Sequence, residues 1–500
     1  MSFWTLENIK KVLSGTWLAR PEAAGHAPVA LEGLSTDSRT VKPGQVFLAL
    51  KGDNTDGHKY LIQAAAAGAG LLIIDQADAV PIGLEKPVAI LQVAATGAAL
   101  LKLAAAYRKT LETTRVIAVG GSNGKTTTVK LISTVLSRTL RGTASVKSFN
   151  NAVGVPLTIL SAKKSDQFLV CEVGTNAPGE IAALAPVVEP DIAVITSIGR
   201  EHLEGLGSLH GVLQEEASLL KGLRPGGLAV LSADAPGLLD SATPLLGAMN
   251  KASPPARTII TFGAAATADI RISACEQRFE GLTFSINDRF TYALPLLGAH
   301  NAANAAAAIA VARRLGVDNA EVEAALASAK GPDMRLERSV AGGVSFINDA
   351  YNANPESALA ALKTFAQVGA SGGYARRVLI LGDMLELGEG APGLHEEVGA
   401  AAAASAPDLI ILVGAFARST SEGYTKSGGA GFVETIPDLE QGRDAHAAGL
   451  LRPGDIVLLK GSRRMGLERV IRAIERQAPD TREPRLKPSR TPAPTGLLSD

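Results

Sequence analysis

The sequence predicts an α/β protein made of three domains. Three observations lead to this fold class: a length of 500 residues, an apolar fraction of 46%, and short apolar, β-branched runs that alternate with helical patterns. A chain of this length suffices for about three domains of ordinary size. Strands that alternate with helices are typical of a mainly parallel sheet covered by helices.

Residues 1–95 are predicted to form a small α/β domain. Two short apolar runs, 45–50 and 70–74, have the character of buried strands. The alanine-rich segment 61–67 between them is predicted to be a helix.

Residues 96–330 are predicted to form a larger central domain with a doubly wound sheet. The runs 115–120, 167–173 and 191–197 are apolar and rich in β-branched residues, as buried parallel strands are. Residues 268–296 carry shorter alternating runs, which predict an antiparallel addition to this sheet.

Residues 331–478 are predicted to form a third domain. Its predicted strands are 344–349, 377–382, 409–413 and 455–460. Polar residues and glycines follow these strands, and open α/β sheets place ligands in the loops at the carboxyl ends of strands. The segment 479–500 is rich in Pro, Arg, Thr and Ser, and we expect it to be disordered.

Composition narrows the class of protein. Lys plus Arg and Asp plus Glu both number 49, so the net charge of zero argues against a nucleic-acid-binding face. Two cysteines, Cys171 and Cys275, do not make a disulfide framework and fit a reducing cytosol. The start resembles no secretory signal, and the alanine-rich stretches 94–106 and 399–417 contain polar residues. We expect a cytoplasmic monomer without membrane insertion.

A phosphate-binding loop is the most informative feature. The predicted strand 115–120 is followed by Gly121, Ser122, Asn123, Gly124, Lys125, Thr126 and Thr127. Glycines let backbone N–H groups converge on a phosphate at the N-terminus of the next helix. We expect Lys125 to reach the terminal phosphates and the Thr126 hydroxyl to bind Mg²⁺. Val119 stands where the usual motif has a further glycine, so this is a short GxxGKT form. The alternative is an ordinary glycine turn with an exposed lysine.

Two other strand ends in the central domain carry candidate metal ligands. Glu172 ends the second predicted strand, where its carboxylate could bind Mg²⁺; the alternative is a solvated acid. His202 follows the third strand, and a neutral imidazole there could bind a second ion or orient a carboxylate ligand. The alternative for His202 is a purely structural histidine.

Asparagines mark two more candidate contacts. Asn301 and Asn304 lie one turn apart on a predicted helix, so their amides could recognise adenine; the alternative is helix capping by Asn301. Asn354 is predicted to cap another helix with Pro355 in its first turn. Between that cap and the preceding strand, a loop holds polar side chains that could meet a ligand. They are Asp349, Tyr351 and Asn352.

Together these motifs resemble the Mur ligase family, ATP-dependent enzymes that form amide bonds in peptidoglycan synthesis. The resemblance covers most of residues 30–470. It implies an N-terminal domain for a UDP-sugar, a central P-loop ATPase domain, and a C-terminal Rossmann-like domain that closes over both.

Some segments are similar to family members that add D-alanyl-D-alanine. They are 348–355, 381–388 and 459–463. The Asp-Asn-Pro-Arg motif typical of members that add meso-diaminopimelate is missing from the sequence. The resemblance implies UDP-N-acetylmuramoyl-tripeptide and D-alanyl-D-alanine as substrates, ATP as cofactor, and an acyl-phosphate intermediate that leads to ADP and phosphate.

The resemblance also implies roles for single residues. The implied catalytic residues are Lys125, Glu172, His202 and Asp349. The implied ATP contacts are Gly121 to Thr127, Asn301, Asn304, Arg335 and Asp349. The implied substrate contacts are Ser38, Arg39, Asn150, Asn151, Tyr351 and Asn352. Two Mg²⁺ ions are expected, with ligands from Thr126, Glu172, His202 and Glu216.

Two positions depart from the family pattern. Many members have a carbamylated lysine fourteen residues after the histidine, and Glu216 stands there in this chain. Our hypothesis is that Glu216 supplies the carboxylate directly; the alternative is an exposed helical acid. Met334 precedes Arg335 where the family usually has glycine, which puts the local turn geometry in question.

Other functions stay open on sequence alone. A related ligase could add a single amino acid, diaminopimelate or lysine, or could add glutamate to folate. A nucleotide-controlled switch is disfavoured because the Asn-Lys-x-Asp motif of guanine-specific switches is missing from the sequence. An inactive scaffold is disfavoured because Lys125, Glu172, His202 and Asp349 are all present.

Overall fold

Three successive β-sheets with flanking helices make up the molecule, which confirms the α/β fold class. The computed structural model describes residues 2–20, 31–52, 55–81, 88–146 and 148–477, apart from the side chain of Ser371. The predicted disordered segment 479–500 lies outside the described residues. Among the helices described, none has both the length and the apolar character needed to cross a membrane.

The first sheet has five strands. The elements are α1 (Leu6–Leu13), β1 (Thr16–Ala19), β2 (Leu34–Ser35), β3 (Val46–Leu48), α2 (Leu61–Ala66), β4 (Leu71–Ile74) and β5 (Ala89–Gln92). Their order is β1-β5-β4-β3-β2, and only the β1–β5 pair is antiparallel. The predicted strands at 45–50 and 70–74 and the helix at 61–67 are confirmed. Strands β1, β2 and β5 were not predicted. Strand β1 has no fully buried residue, and β2 comprises only two residues.

The central sheet has nine strands. The first elements are α3 (Thr96–Arg108), β6 (Arg115–Gly120), α4 (Lys125–Leu136), β7 (Gly142–Ala144), α5 (Gly154–Ser161), β8 (Phe168–Glu172), α6 (Glu180–Val188), β9 (Ile192–Ile195) and α7 (Leu203–Leu206). The next are α8 (Leu209–Ala217), β10 (Leu228–Ser232), α9 (Leu238–Ala252), β11 (Thr258–Gly263), β12 (Ile270–Arg278), β13 (Gly281–Ile286), β14 (Phe290–Leu294), α10 (His300–Arg314) and α11 (Asn319–Ala327). Their order is β14-β13-β12-β11-β10-β9-β6-β8-β7.

Strand β6 lies between β8 and β9, parallel to both. Val119 is in register with Glu172 and Gly120 with Ile195, so three loops leave the same edge of the sheet beside one another. The three predicted central strands are therefore confirmed. Strands β12, β13 and β14 pair antiparallel, which confirms the predicted antiparallel addition.

The third sheet has six strands. Its elements are β15 (Glu337–Ala341), β16 (Val344–Asp349), α12 (Pro355–Ser371), β17 (Arg376–Gly382), α13 (Ala391–Ala404), β18 (Leu409–Val413), α14 (Ala417–Lys426), β19 (Phe432–Ile436), α15 (Arg443–Gly449), β20 (Asp455–Lys460) and α16 (Arg469–Gln477). Their order is β15-β16-β20-β17-β18-β19, parallel except for β15. The four predicted strands are confirmed. So is the cap of α12, where Asn354 and Ser357 exchange side-chain and backbone hydrogen bonds and Pro355 begins the helix.

The first two domains share one continuous apolar core. The buried residues of α1 and the first sheet pack with those of α3 and with one face of the central sheet. Phe3 stacks edge-on against Tyr107 of α3, with 5.0 Å between ring centroids. The third sheet has separate buried clusters on its two faces. The N-terminal and central domains therefore form one unit. The C-terminal domain contacts this unit through an apolar cluster that includes Leu297 of the central domain, and through polar contacts described below.

Arg108 at the end of α3 is a buried cation that holds α6 in place. Its Nε donates to the carbonyl of Val188 at 3.0 Å, and Nη2 donates to the carbonyl of Glu189 at 2.8 Å. Nη2 also bonds to Asp191 Oδ2 at 3.0 Å. These contacts satisfy the last carbonyls of α6, which a helix cannot satisfy itself.

We predict that Arg108→Ala lowers the free energy of unfolding by about 3 kcal/mol, because a partly buried carboxylate and two carbonyls lose their partner. Thermal unfolding of the purified protein measures the effect. The control is Arg138→Ala, which removes an exposed ion pair with Glu321 and is expected to cost less than about 1 kcal/mol. Equal losses in the two variants would contradict this account of Arg108.

Candidate active site

The phosphate loop joins β6 to α4 through two glycines in the left-handed region. Gly121 has φ 112° and Gly124 has φ 87°, conformations that other residues rarely adopt. A Cβ atom on Gly121 would collide with Thr196, and one on Gly124 would collide with the side chain of Asn304. Both positions therefore require glycine, which rules out an ordinary surface turn.

The loop that follows β9 supports the phosphate loop from one side. Thr196 Oγ1 donates to the carbonyl of Asn123 at 2.6 Å, and the Asn123 N–H donates to Ser197 Oγ at 2.9 Å. Ser122 Oγ accepts the N–H of Gly199 at 2.9 Å. The phosphate loop is thus preorganised by contacts that leave the N–H groups at the start of α4 available to an anion. Thr127 is buried in the first turn of α4.

Lys125 is a buried cation among carboxylates. Its Nζ donates to the carbonyls of Gly121 and Ser122 and lies 3.6 Å from Glu201 Oε2. Burial acts to lower the pKa of Lys125, but Glu201, Glu216 and Glu172 together raise it above the usual value. The lysine therefore carries a positive charge beside the phosphate loop.

Three buried carboxylates surround this one ammonium. Glu172 is 1% exposed, Glu201 7% and Glu216 0%. Burial raises the pKa of Glu172 and of Glu216, and it raises the pKa of Glu201 to about 8. Within the described residues, Glu172 Oε2, Glu201 Oε1 and Glu216 Oε1 are buried without a hydrogen-bond partner. Buried acceptors without donors are suited to a cation.

Glu172 lies where the sequence places it, at the end of β8. Asn150 Nδ2 donates to its Oε1 at 3.0 Å, and Lys125, Arg335 and Thr126 act to lower its pKa against the effect of burial. The alternative of a solvated acid is wrong for Glu172.

Glu216 lies beneath the phosphate loop. Its Oε2 accepts the N–H of Gly121 at 2.6 Å. The alternative of an exposed helical acid is therefore wrong, because no part of the residue reaches solvent.

His202 contacts two other glutamates. Its Nδ1 lies 2.6 Å from Glu386 Oε2 in the C-terminal domain, and its Nε2 lies 4.0 Å from Glu201 Oε2. Sequence reasoning missed Glu201, although it directly precedes His202 and follows a strand end. Its partner Lys125 is distant along the chain, and only the folded structure brings the two side chains together.

The C-terminal domain reaches the same site through Arg335. Its Nη2 donates to Thr126 Oγ1 at 3.2 Å, and its guanidinium lies 4.4 Å from the ring centroid of Tyr351. Met334, where glycine is usual in the family, adopts φ 57°. Met334 thus adopts a left-handed conformation, although a side chain costs about 1 to 2 kcal/mol there. The departure at Met334 thus leaves Arg335 in contact with the phosphate loop.

Asp349 pairs with a lysine that the sequence analysis did not single out. Its Oδ2 lies 2.7 Å from Nζ of Lys460, which is buried at the end of the adjacent strand β20. Its Oδ1 accepts the N–H of Leu336 at 3.1 Å. Lys460 also donates to the carbonyl of Asn352 at 2.9 Å, so it holds the loop that carries Tyr351 and Asn352.

Asn301 and Asn304 are buried under the phosphate loop. Asn301 Nδ2 donates to the carbonyl of Leu297, and Asn304 Nδ2 donates to Asn301 Oδ1 at 2.8 Å. Asn304 Oδ1 accepts the hydroxyl of Thr128 in α4. The amides support the loop in this structure, and their contact with adenine stays a prediction. Capping of α10 by Asn301 is wrong, because Ala299 occupies the cap position.

The predicted substrate residues lie in three places, the third being the loop after β16 with Tyr351 and Asn352. Ser38 donates to Gln63 at 3.0 Å and Arg39 pairs with Asp37, all within the N-terminal domain. Asn150 lies beside Glu172. Asn151 is exposed, and its Oδ1 accepts the N–H groups of Val153 and Gly154 at the start of α5.

A cavity lies between the central and C-terminal domains, next to the buried carboxylate of Glu201. It is lined on one side by Glu201 and His202, and on the other by Asn352, Glu386, Leu387, Ser462, Arg463 and Arg464, among others. In the part of the chain that the structure describes, no three His, Cys, Asp or Glu side chains form a ready-made metal cage. Mg²⁺ with nucleotides usually takes only one or two carboxylates, the rest of its ligands being phosphates and waters. Thr126 and Glu172 fit that requirement.

Three family models match successive parts of the chain. The Mur ligase family, catalytic domain matches residues 30–109, the Mur ligase middle domain 119–312, and the Mur ligase, glutamate ligase domain 334–463. The order is the order of the three sheets.

Related proteins match almost the whole chain. A UDP-N-acetylmuramoyl-tripeptide–D-alanyl-D-alanine ligase of Bacillus subtilis (strain 168) is 35% identical over 476 residues, 94% of this chain and 98% of the relative. The protein of the same name from Escherichia coli (strain K12) is 32% identical over 478 residues, again 94% and 98%.

Solved structures agree with these matches. A crystal structure of MurF from Acinetobacter baumannii has a TM-score of 0.81 and 29% identity, and covers 95% of this chain and 99% of its own. A MurF ligase from Thermotoga maritima, solved in complex with ADP, has a TM-score of 0.74 and 26% identity, with coverages of 90% and 99%.

We predict that Gly124→Ala weakens ATP binding at least tenfold, because the new methyl group would collide with Asn304 and distort the phosphate loop. Isothermal titration calorimetry measures the affinity. Gly179→Ala is the matched control: Gly179 also has φ 87° and also precedes a helix, but no atom lies within 4 Å of the position that a Cβ atom would take there. If both variants bind ATP with the affinity of the wild type, a side chain at position 124 does not distort the phosphate loop.

Proposed function

The chain belongs to the Mur ligase family, and we propose that it joins D-alanyl-D-alanine to UDP-N-acetylmuramoyl-tripeptide in peptidoglycan precursor synthesis, with conversion of ATP to ADP and phosphate. The chain is an ATP-dependent ligase that forms a C–N bond. The observation that carries the choice of substrates is the match to relatives of that name over 98% of their length. We also propose that it works in the cytoplasm as a monomer.

The chemistry requires an activated acyl group, because a carboxylate does not react with an amine. The terminal carboxylate of the tripeptide attacks the γ-phosphorus of ATP, and ADP leaves as the acyl phosphate forms. The free amine of D-alanyl-D-alanine then attacks the acyl carbon. The tetrahedral intermediate loses inorganic phosphate and the amine loses a proton, which leaves the amide. Such transfers depend on positioning and on neutralisation of charge.

Lys125 and Arg335 are the cations that this chain offers to the phosphates. Lys125 hydrogen-bonds to backbone carbonyls of the phosphate loop, contacts that bound phosphates can replace. Arg335 approaches Thr126 from the C-terminal domain. Both charges would stabilise the phosphoryl group as negative charge shifts to the leaving ADP.

Thr126 and Glu172 would hold one Mg²⁺, and His202 with Glu216 would hold a second. When bound, Mg²⁺ supplies positive charge that offsets the charge of the phosphates and of the substrate carboxylate. The orphaned oxygens of Glu172 and Glu216 support this assignment. Glu201 is a further candidate ligand, because its Oε1 is buried without a hydrogen-bond partner and its Oε2 lies 4.0 Å from His202 Nε2.

The remaining residues are proposed to bind and enclose the substrates. Ser38, Arg39, Asn150 and Asn151 would contact the UDP-sugar peptide. The cavity between the central and C-terminal domains offers both carboxylates and arginines, which suits a zwitterionic dipeptide. Asp349, held by Lys460, would contact the nucleotide, and Tyr351 and Asn352 lie on the same loop. Enclosure matters because water hydrolyses an acyl phosphate.

We predict that the purified protein releases phosphate from ATP and Mg²⁺ only when UDP-N-acetylmuramoyl-tripeptide and D-alanyl-D-alanine are both present. The assay should compare D-alanyl-D-alanine with meso-diaminopimelate, L-lysine and L-glutamate, each with its matching UDP-sugar peptide or folate acceptor. Phosphate release with a single amino acid and none with the dipeptide would assign the chain to another ligase of the family.

We predict that Glu216→Gln lowers kcat at least tenfold, equal to about 1.4 kcal/mol of transition-state stabilisation, and raises the Mg²⁺ concentration needed for half-maximal activity. Glutamine still accepts the Gly121 N–H but has lost the charge. The control is Glu215→Gln, whose carboxylate accepts the N–H groups of Gly179 and Ile181 instead; it should lower stability without changing the Mg²⁺ dependence. Full activity of Glu216→Gln at saturating Mg²⁺ would show that Glu216 holds no ion.

A further inference from the structure

Arg200 joins the central domain to two helices of the C-terminal domain. It lies in the loop that follows β9. Its Nη1 and Nη2 donate to the two oxygens of Glu397 in α13, at 2.8 and 2.9 Å. Its Nε donates to Glu356 Oε1 in α12 at 2.6 Å, and its backbone N–H donates to Glu356 Oε2 at 3.0 Å.

An arginine binds carboxylates strongly in this arrangement. Two parallel N–H···O bonds to one carboxylate, with a third bond to a second carboxylate, use the planar fork of the guanidinium. The side chains of Arg200, Glu356 and Glu397 are 29%, 36% and 40% exposed, so solvent screens them only in part. The hydrogen bonds between Arg200 and Glu397 raise the pKa of the guanidinium and lower the pKa of the carboxyl group. Both side chains are therefore charged near neutral pH.

Both sequence neighbours of Arg200 contact the candidate active site. Gly199 bonds to Ser122 of the phosphate loop, and Glu201 lies beside Lys125. The helix that Arg200 binds also touches that loop, because Asn354 at the start of α12 donates to Asn123 Oδ1 at 3.1 Å. The position of the C-terminal domain is thereby connected to the position of the carboxylates around Lys125.

We propose that Arg200 is a positioning residue for the ligase reaction: with Glu356 and Glu397 it clamps the C-terminal domain onto the loop after β9, and this docking sets Glu201 beside Lys125. The inference rests on the proposed function for its kinetic test but not for its structural one. The clamp acts through the loop and touches no substrate.

The structural test measures docking by single-molecule energy transfer. One dye is placed on the exposed Cys275 in the central domain and the other on Arg418→Cys in α14, where the native side chain is 91% exposed. Cys171 is buried and stays unlabelled. In the presence of ADP and Mg²⁺, Arg200→Ala and Glu397→Ala should each shift molecules from the docked population to an undocked population. Identical populations in wild type and both variants would overturn the clamp.

The kinetic test is a double-mutant cycle. Arg200→Ala should lower kcat about tenfold, and Glu397→Ala should lower it by less, because it leaves the bond between Arg200 and Glu356 in place. The double variant should lose no more activity than Arg200→Ala alone, because Arg200→Ala already removes the interaction with Glu397. Arg200→Lys should recover only part of the activity, since lysine has no fork of donors. A double variant that loses markedly more activity than Arg200→Ala alone would contradict a shared role.

The control is Arg138→Ala, which breaks an ion pair between α4 and α11 inside the central domain. It should leave both the docked population and kcat unchanged. A loss equal to that of Arg200→Ala would mean that removing an arginine ion pair lowers activity wherever the pair lies. If the wild type shows no activity with D-alanyl-D-alanine, the proposed function fails, while the docking measurement still decides for or against the clamp.

Discussion

The balance of charge around Lys125 is the constraint on which the rest of the site depends. One ammonium faces the three buried carboxylates of Glu172, Glu201 and Glu216. Burying charges is costly unless they are paired, and here acceptor oxygens outnumber donors. Burial raises the pKa of each of these carboxyl groups, and Lys125 acts to lower it. A site of this kind is suited to bind phosphates only together with further cations, which agrees with the proposed role of Mg²⁺.

Sheet geometry produces this concentration of charge. Because β6, β8 and β9 are parallel neighbours in register, the phosphate loop, Glu172 and the segment with Glu201 leave the same edge of the sheet. The helix that carries Glu216 then packs beneath the phosphate loop. The C-terminal domain adds Arg335 from its own sheet edge. The central and C-terminal domains therefore both contribute charged groups to the site.

Much of the fold could be predicted because buried parallel strands are apolar along their whole length, as in β6, β8 and β9. Strand β15 was missed because four of its five residues are exposed and polar residues interrupt its pattern. In the site, Lys125, Glu172 and Asp349 follow strands in local motifs that a sequence displays. Glu201 and Lys460 lie as close to the chemistry, but their partners are distant along the chain and only the folded structure brings them together. Burial of Glu216 also depends on tertiary packing.

A crystal structure with a non-hydrolysable ATP analogue and Mn²⁺ in place of Mg²⁺ tests the central claim most directly. Anomalous scattering locates each Mn²⁺ ion without relying on the surrounding density. We expect one ion bonded to Glu172 Oε2 and the Thr126 hydroxyl, and a second ion on His202 with Glu216 or Glu201 as its carboxylate ligand. Nucleotide bound at the phosphate loop with no Mn²⁺ peak at any of the three buried carboxylates would contradict the proposed role of these groups.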